Sequence, residues 1–525
     1  MPRWVCPDMD NATKLTNTLW KGGIKMRNKR SVTLIAFAVV LIALLYIPAP
    51  AQKLASPDDL CVRPGRCATA SEYYVGEGYL PIPDRVRWIG VLKGSWYEMG
   101  VEYGKRAGDL VRWATDEYWQ EQVNKEGLNQ LLIDIHKYEK EDAYLLPQML
   151  EMMKGIADGA APYLAKSPYA GQSTFYEKVL LANIMYDIKW DYPTGSGCSS
   201  FAAKNAHGQT IVTHNWDDPF WPIMYSVAFV AVPNDRRANT YWTLTTAGKV
   251  GGLMAVNNKG LSFHLTAGGN AVLTDYAFGV NYFPLISFIS AYADNADEAV
   301  KILTLGTAEY RAKTGRATLL KTGHWGWMAV DSSKMVTVES TAHRYATRNP
   351  GDYGETGQWM VLTNHMLINT GSYNANNVWE QGVPMTTYSD EAHCPSSASR
   401  YWTHFWNLKR THTCLTVNDA FDYQTAHYWI DKAGLRHDDV WSEALKIWMP
   451  AYLSPYDDKG NGLTTVCQHS KKYPNHDIYG STSGTKVAVL PTLDIYWRHG
   501  RGCNWEGAWD HINLRDKHTW TMDGD

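Results

Sequence analysis

The chain has 525 residues, of which 45% are hydrophobic and 20% are charged. That is enough apolar sequence for a large buried core, in one large domain or in two smaller ones. The formal net charge is only −3, which argues against a nucleic-acid partner, because binding of phosphates needs a strongly basic surface.

The N-terminal region has the order of segments that marks a protein for export. A basic stretch, Lys25–Arg30, is followed by the apolar run Val32–Ile47 and by small residues that end at Ala51. This order predicts a signal peptide over residues 26–51, with residues 1–25 as an uncertain extension ahead of the true start. The apolar run is shorter than the roughly 20 residues that span a membrane, so we expect a secreted or periplasmic protein. An uncleaved signal segment would instead attach the chain weakly to a membrane.

Export permits disulfide bonds, so the number of cysteines matters. Of the eight cysteines, Cys6 precedes the predicted cleavage site, and the remaining number is odd. At least one thiol therefore lacks a partner within the chain. Local pairing would leave Cys198 as the odd cysteine, although other connectivities are equally allowed by the sequence. The local pairs would be Cys61–Cys67, Cys394–Cys414 and Cys467–Cys503.

Periodicity changes its character near residue 197. Before that point, apolar residues recur at three- and four-residue steps, which predicts helices over Tyr97–Trp119, Leu128–Met153 and Tyr176–Ile188. After it, short alternating runs predict strands, with helices over Asp294–Leu305 and Ser399–Leu408. A helical first part followed by strands with packed helices predicts an α+β fold. The predicted strands are Ser199–Lys204, Gln209–His214, Tyr241–Thr246, Gly252–Asn257, Leu261–Thr266, Trp325–Val330 and Met335–Ser340.

The chemical motif of the sequence is the run Gly197-Cys198-Ser199-Ser200. A cysteine that opens a strand directly after a Gly-Ser-Gly loop is exposed as a new N-terminus by one backbone cut. Its α-amino group would have a pKa near about 8 and would lie beside its own thiol, where it can act as the general base. Taken alone, the run is a weak signal, and a buried structural cysteine is the commoner case for such a run.

A predicted hairpin adds a carboxylate to this motif. The turn Asn205-Ala206-His207-Gly208 would return the chain, so that His214-Asn215-Trp216-Asp217 ends the second strand near Cys198. We expect Asp217 to orient the thiol and the ammonium group there.

With these residues the sequence resembles a known group of enzymes. The pattern Gly-Cys-Ser-Ser followed by Asn-Trp-Asp resembles the nucleophile motif of enzymes in the N-terminal nucleophile (Ntn) hydrolase superfamily. The similar members are the penicillin acyltransferases, the acid-ceramidase-like amidases and the choloylglycine hydrolases, which act on linear amide C–N bonds. Other stretches with the family's order and spacing lie between about residues 90 and 405, and they are Gly94–Gly100 with Tyr103-Gly104, Asn257–Leu261, Ala267–Asn270, Leu362–His365 and Ser397–Tyr401.

The resemblance implies an architecture and a processing step. It implies a four-layer αββα sandwich in which two antiparallel sheets lie between layers of helices. Residues 52–197 would form a helical pro-segment or small subunit, and residues 198–525 the subunit that carries the nucleophile. After cleavage before Cys198, the two fragments would stay associated through buried helices.

The resemblance also implies roles for five residues. Cys198 would attack the amide carbonyl, while the Asn364 side chain and the Asn270 backbone N–H would stabilise the oxyanion. Asp217 and Arg400 would fix the nucleophile and its electrostatics. The substrate would be a small-molecule N-acyl amide, with water or another amine as acyl acceptor, and no cofactor or metal is implied. Plainer interpretations remain, since Asn364 also fits a strand end, Arg400 a solvated helix face and Asn270 an ordinary loop.

One position departs from the family pattern. The family usually has arginine where this chain has His214, so a fixed cation is replaced by a side chain that ordinarily titrates near neutral pH. We expect His214, Asn215 and Trp216 to contact the substrate. The alternative is that His214 is a packed strand histidine.

Three other classes compete with this interpretation. A papain-like protease has its cysteine at a helix start, whereas Ser199 here begins a predicted strand. For a metal hydrolase, the nearest candidate cluster of ligands is His412-x-Cys414, and the sequence has no His-Glu-x-x-His or Cys-x-x-Cys pair. A secreted, non-catalytic ligand-binding protein on an Ntn-like scaffold would use its 23 tryptophans to grip a glycan or lipid. Such a binding protein would remain one chain, whereas the enzyme would yield a fragment that begins at Cys198.

Overall fold

The computed structural model describes most of the chain from residue 87 to residue 520. The predicted extension, the signal segment and Asn270 lie outside the described residues, as do four of the six cysteines in the predicted local pairs. None of the described helices combines the length and the apolar character needed to cross a bilayer. The described residues are 87–140, 146–188, 198–219, 225–252, 254–267, 277, 279–321, 325–343, 345–352, 354–365, 367, 370–373, 379–384, 395–442, 447–450, 465–467, 480–499 and 509–520.

Helices dominate the described part of the chain before Cys198, as the periodicity predicts. They are α1 (Trp96–Glu126), α2 (Leu128–Lys140), α3 (Pro147–Leu164) and α4 (Phe175–Ile188). The prediction of one helix over Leu128–Met153 is wrong, because Leu146 has an extended backbone and Pro147 begins a new helix. Proline disfavours helical geometry in the residue before it and is well suited to the first helical position.

Helix α1 begins at a capping box. The Ser95 hydroxyl accepts a hydrogen bond from the Glu98 backbone N–H (3.2 Å), and the Ser95 backbone N–H donates to Glu98 Oε2 (2.7 Å). Two N–H groups that the helix itself leaves unpaired are thereby satisfied. The exit angle of the chain from β1 (Arg87–Gly94) into α1 is therefore fixed by local sequence.

Glycines allow α1 and α3 to touch along their backbones. A Cβ atom at Gly100 would lie 2.2 Å from the Met152 carbonyl oxygen, and one at Gly155 would lie 2.1 Å from the Tyr97 carbonyl oxygen. The same holds one turn further on for Gly104 and Gly159. No side chain fits at these four positions, so the spacing of the glycines sets the distance between the two helices.

The described part of the chain after Cys198 consists mainly of strands, with five helices between them. The helices are α5 (Tyr282–Tyr292), α6 (Ala296–Leu305), α7 (Ala308–Thr314), α8 (Pro395–Thr411) and α9 (Val417–Gln424). The strands are β2 (Ser199–Lys204), β3 (Thr210–Pro219), β4 (Ser226–Pro233), β5 (Tyr241–Thr246), β6 (Met254–Asn257), β7 (Ser262–Ala267), β8 (Trp325–Val330), β9 (Met335–Ser340), β10 (Tyr345–Arg348), β11 (Trp359–Leu362), β12 (Thr370–Tyr373), β13 (Trp379–Pro384), β14 (Trp429–Ile430), β15 (Arg436–His437), β16 (Asp439–Ser442), β17 (Ile447–Pro450), β18 (Gly480–Leu490), β19 (Asp494–His499) and β20 (Asp510–Asn513).

An eight-stranded sheet joins the two parts of the chain. Its order is β1-β4-β5-β6-β7-β8-β9-β10. Strand β1 pairs in parallel with β4, and every other neighbouring pair is antiparallel. A strand that precedes the proposed cleavage point therefore shares a hydrogen-bonded sheet with strands that follow it. Helix α1 packs on this part of the sheet, where the Tyr103 ring lies 5.4 Å from the Phe229 ring.

A six-stranded antiparallel sheet contains the strand that follows Cys198. Its order is β11-β2-β3-β18-β19-β20. Because side chains alternate along a strand, its two faces belong to different clusters of buried residues. One face enters the core shared with the eight-stranded sheet, through Ala202, Val212, Trp216, Met360 and Ala488. The other face packs against α8 and α9, through Phe201, Ile211, Trp359, Val361 and Val487.

A buried ion pair covers the edge strand β11. Arg348 Nη1 lies 2.5 Å from Glu355 Oε1, and both side chains are almost fully buried. Arg348 also donates to the Val361 carbonyl oxygen at 2.5 Å, and Glu355 accepts the Val361 N–H at 3.2 Å. The pair thus occupies backbone groups that an edge strand would otherwise expose, and it holds the strand that leads into Asn364. The fold as a whole is a mixed α+β structure.

Candidate active site

Cys198 lies directly before β2, between two strands that contribute polar residues. Ser199 pairs with Asn215 on β3, and Ser200 pairs with Leu362 on β11. Continuing these antiparallel registers places Cys198 level with Trp216 on one side and with Asn364 on the other. The Cys198 side chain belongs to the core between the sheets and is only 3% exposed.

Arg400 connects Cys198 to Asn364. Its Nη1 donates to the Cys198 carbonyl oxygen at 2.5 Å, and its Nη2 donates to Asn364 Oδ1 at 2.7 Å. The side chain is 1% exposed, so it does not lie on a solvated helix face. The planar guanidinium makes both bonds at once, which fixes the relative position of its two partners. The structure therefore brings together three predicted site residues from three separate segments of the chain.

The Asn364 side chain is oriented by this contact. Its Oδ1 accepts from Arg400, and its Nδ2 donates to the Ala267 carbonyl oxygen at 2.7 Å. A primary amide has two N–H donors, and the second has no partner among the described residues. Because the carbonyl oxygen is committed to Arg400, the amide cannot flip. One N–H of this amide is therefore left for a further hydrogen bond.

Asp217 lies at the same end of the hairpin. The predicted turn is confirmed, since the Asn205 N–H donates to the Gln209 carbonyl oxygen (2.9 Å) and β2 and β3 pair along their length. Asp217 is one residue beyond the position level with Cys198, and it is 1% exposed. Its Oδ1 accepts the Thr482 hydroxyl at 2.6 Å. A hydroxyl donor from β18 thus fixes this carboxylate.

His214 does not titrate near neutral pH, contrary to expectation. The imidazole is fully buried, and its Nε2 lies 2.7 Å from the Leu265 carbonyl oxygen. Burial, together with the nearby Lys486 ammonium, lowers the pKa of His214 to about 3. The neutral ring donates its Nε2–H to Leu265 and links β3 to β7 of the opposite sheet. His214 is therefore a packed strand histidine at the interface of the two sheets.

Lys486 is a buried cation that sequence reasoning missed. It pairs with His214 in the register of β18 and β3 and is fully buried. Its Nζ donates to Ser262 Oγ at 2.8 Å, and burial lowers the pKa of Lys486 to about 7. His264 completes the cluster, with its ring 5.0 Å from that of His214. No sequence signal marks Lys486, because a lysine within a strand is ordinarily taken as facing solvent.

Asn215 and Trp216 differ in their placement. Both N–H donors of the Asn215 side chain are used by carbonyl oxygens, at 2.9 Å from Gln424 and 3.1 Å from Val466. These bonds connect β3 to α9 and direct the Asn215 side chain away from the face that carries Cys198. Trp216 lies on the same face as Cys198 and is 1% exposed. Of the two, only Trp216 shares a face of the sheet with Cys198.

Two cavities bounded by described residues lie elsewhere. One, of about 680 Å³, is lined mainly by α5, α6 and α7. The other, of about 800 Å³, lies along β1 and the start of α1. Neither is lined by Cys198, Asn364 or Arg400. The chemistry of the side chains, rather than the size of a cavity, therefore locates the candidate active site.

Comparisons with known proteins give a distant relative in sequence. No family model matches the chain. An uncharacterized protein from Archaeoglobus fulgidus is 24% identical over an alignment of 249 residues, which covers 43% of this chain and 40% of that protein. The chain thus spans about two fifths of the length of this curated relative.

Comparisons of structure give neighbours with low scores. Two variants of conjugated bile acid hydrolase from Clostridium perfringens have TM-scores of 0.36 and 0.34 at 10% and 12% identity, and each match covers 62% of this chain and 95% of the other. An ortholog of N-acylethanolamine-hydrolyzing acid amidase from Caenorhabditis elegans has a TM-score of 0.25 at 18% identity, covering 32% of this chain and 70% of the other. The names of these neighbours fall in the bile-salt hydrolase and acid amidase groups that the motifs resemble. These three TM-scores are below 0.5, so the case for a function rests on the residues of the site.

Proposed function

We propose that the chain is a cysteine Ntn hydrolase that cleaves itself before Cys198 and then breaks a linear amide bond in a small N-acyl substrate. The observation that carries the proposal is the bridge made by Arg400 between the Cys198 carbonyl oxygen and Asn364 Oδ1. Together with the strand register that sets Cys198 level with Asn364, this bridge supports a role for the Asn364 amide as a donor to the reacting group at Cys198. One backbone cut would give that cysteine a free α-amino group.

The residues support a two-step reaction. The α-amino group of Cys198 takes the thiol proton, and the sulfur attacks the substrate carbonyl carbon. The resulting oxyanion receives the second N–H of Asn364 and, in our proposal, the backbone N–H of Asn270. Each such donor is worth about 3 kcal/mol in the transition state. The ammonium group then gives its proton to the leaving amine, and the C–N bond breaks to leave a thioester on Cys198.

Water or a second amine completes the cycle. It loses a proton to the α-amino group, attacks the thioester and releases the acyl group together with the thiol. In this scheme Asp217 orients the ammonium and the thiol, and Arg400 keeps the Cys198 carbonyl and Asn364 in place. Trp216 is our candidate for a substrate contact, whereas Asn215 and His214 support the strand that carries it. No step requires a cofactor.

The packing supports the architecture that the resemblance implies. The two sheets share one core, α1 and α5 contact the eight-stranded sheet, and α8 and α9 contact the outer face of the six-stranded sheet. We therefore propose a four-layer αββα sandwich, with residues 52–197 as pro-segment and residues 198–525 as the nucleophile-bearing subunit. We also propose export through the signal segment, which would place the enzyme outside the cytoplasm.

The experiment combines N-terminal sequencing with a substrate screen. We expect wild-type protein to yield a fragment that begins at Cys198 and to hydrolyse at least one class among fatty-acyl, aryl-acyl and bile-acyl amides. Cys198→Ala should stay uncut and inactive, and Cys198→Ser should lose most turnover. Cys414→Ser, at a half-buried cysteine outside the proposed site, is the matched control and should keep activity. Substantial turnover by the alanine variant would reject the assignment.

A further inference from the structure

Asn364 is held at its backbone as well as at its side chain. The Asn364 N–H donates to Ser397 Oγ at 2.6 Å, and the His365 N–H donates to the same oxygen at 2.8 Å. We propose that Ser397 is a positioning residue for the reaction, which keeps Asn364 aimed at the oxyanion by means of a hydrogen bond to His365. This inference rests on the proposed function, because it takes Asn364 as the oxyanion donor.

The hydrogen bonds of the Ser397 hydroxyl show how His365 takes part in holding Asn364. A serine hydroxyl has two acceptor lone pairs and one donor proton. The two backbone N–H groups occupy both lone pairs of Ser397, so its proton has to be donated elsewhere. His365 Nδ1 lies 2.8 Å from Ser397 Oγ and is the partner for that proton. The His365 ring is therefore neutral, with its own proton on Nε2.

One turn of α8 fixes both ends of Asn364. Ser397 and Arg400 are three residues apart, which places them on one face of the helix. Ser397 binds the Asn364 backbone N–H, and Arg400 binds the Asn364 side-chain oxygen. The Ala267 carbonyl oxygen accepts from Asn364 Nδ2 at 2.7 Å and restrains the other end of the same planar amide. Loss of Ser397 Oγ would free the backbone while leaving the nucleophile untouched.

Protonation of His365 would break this arrangement. A proton on Nδ1 would face the Ser397 proton, and two donors cannot share one hydrogen bond. Thr363 Oγ1, 3.2 Å from Nδ1, would then accept from the ring instead, and Ser397 would have to reorient. Other charged or titratable groups belong to the neighbouring elements. Helix α8 contributes Arg400 and Tyr401, whose ring lies 5.5 Å from the His365 ring. Strand β9 contributes Glu339, which accepts the Leu367 N–H at 2.9 Å. We therefore expect a loss of kcat at acid pH that depends on His365.

The first test compares two hydroxyl deletions in the same helix. Ser397→Ala removes the bond to Asn364 and should lower kcat about 10- to 100-fold, a part of the 10²–10³ that an oxyanion donor contributes, with KM changed less than about threefold. Thr411→Val is the control, because Thr411 is buried near the other end of α8 and bonds to Asn407 and Tyr423. It should leave kcat unchanged. Equal kcat for Ser397→Ala and wild type would overturn the proposal.

The second test uses His365 and does not depend on the folding of the Ser397 variant. Asn at this position offers an oxygen acceptor near the place of Nδ1 but cannot be protonated. His365→Asn should keep kcat within about threefold and lose the acid limb of the profile, while His365→Leu should lose kcat as Ser397→Ala does. An acid limb that persists unchanged in His365→Asn contradicts the proposed role.

A third measurement separates this inference from the proposed function. In ¹⁵N-histidine-labelled protein, the nitrogen shifts show which ring nitrogen carries the proton, and the His365 signals are those missing from His365→Asn. We expect the Nε2–H form in wild type and its loss in Ser397→Ala. A proton on Nδ1 in wild type would overturn the inference. Absence of Cys198-dependent turnover, with the Nε2–H form present, would instead reject the proposed function alone.

Discussion

Asn364 is the residue at which most of the site contacts converge. It makes hydrogen bonds with Arg400 and Ser397, both on α8, and with Ala267 on β7. Side chains with this many fixed partners are typical of pre-organised donors, because a donor that needs no reorientation loses nothing when charge develops. The amide group at this position is therefore predicted to matter for rate more than for stability.

Two substitutions test the amide directly. Asn364→Ala removes the N–H donor and should lower kcat about 10²–10³-fold. Asn364→Asp has the same shape but lacks the N–H and adds a negative charge, so it should be at least as inactive, although it can still accept from Arg400. Both are measured by kcat on the best amide from the screen. A fully active aspartate variant would show that the amide N–H plays no part.

The buried side chain of Lys486 makes the free energy of unfolding depend on pH. Its pKa in the folded protein is about 7, below the ordinary value of 10.5, so between these values the unfolded chain binds one proton more than the folded chain. The free energy of unfolding therefore rises with pH across this window. From pH 7 to pH 9 this lysine alone should add about 2 kcal/mol to the free energy of unfolding. A difference of one bound proton between the two states changes that free energy by about 1.4 kcal/mol per pH unit.

Lys486→Met should remove that part of the pH dependence. The thioether is of similar length and carries no charge, so the variant should also be more stable than wild type at pH 7. The measurement is urea unfolding at pH 7 and pH 9. Lys334→Met is the control, because Lys334 is partly exposed (42%) and pairs with Asp297, and it should keep the wild-type slope. An unchanged slope in Lys486→Met would mean that the lysine is not neutralised by burial.

At the level of elements, the glycine contact between α1 and α3 makes a second test of stability. Gly155→Ala would bring a methyl group to 2.1 Å from the Tyr97 carbonyl oxygen, and the helices would have to separate. We expect a loss of about 1–3 kcal/mol in the free energy of unfolding, as for other overpacked interiors. Gly171→Ala, which meets no atom within 4 Å, is the control and should be nearly neutral by urea unfolding.

The elements that the sequence predicts are those with a clear period. Strands β2, β5, β8 and β9 have the predicted bounds, and the amphipathic helices before Cys198 are present. Helix α5 was missed because the whole of its sequence from Tyr282 to Ala291 is buried, so no polar face reveals a helical period. Strand β18 was missed because Lys486 and Thr485 are buried within it, which breaks the expected alternation of apolar and polar residues.

The site could be predicted only in part, for a related reason. Motifs name Cys198, Asn364 and Arg400, and the structure joins them by hydrogen bonds. The sequence cannot show that His214 is neutral, since its pKa depends on burial between two sheets that are far apart along the chain. Nor can the sequence show the hydrogen bond from the Asn364 backbone N–H to the Ser397 hydroxyl. That contact exists only when α8 packs beside the end of β11.

For the whole molecule, the pairing of β1 with β4 predicts the fate of a cleaved chain. Six register pairs between Arg87–Gly94 and Val227–Pro233 span the proposed cut, and α1 and α4 bury apolar residues in the same core. We expect the two fragments to co-elute in gel filtration and to separate only in denaturant. Separation of the fragments in native buffer would contradict the proposed subunit arrangement, and uncut Cys198→Ala protein provides the reference elution volume.

The bond from Arg400 to the Cys198 carbonyl oxygen has a consequence for engineering. That carbonyl belongs to the peptide link with Ser199, so scission on the other side of Cys198 leaves the bond intact. The anchored geometry would thus be the same before and after the proposed cleavage. Two separately expressed polypeptides, one ending at residue 197 and one with Cys198 as its first residue, would then carry every anchoring contact, and split-protein complementation becomes a route to active material without any autocatalytic event.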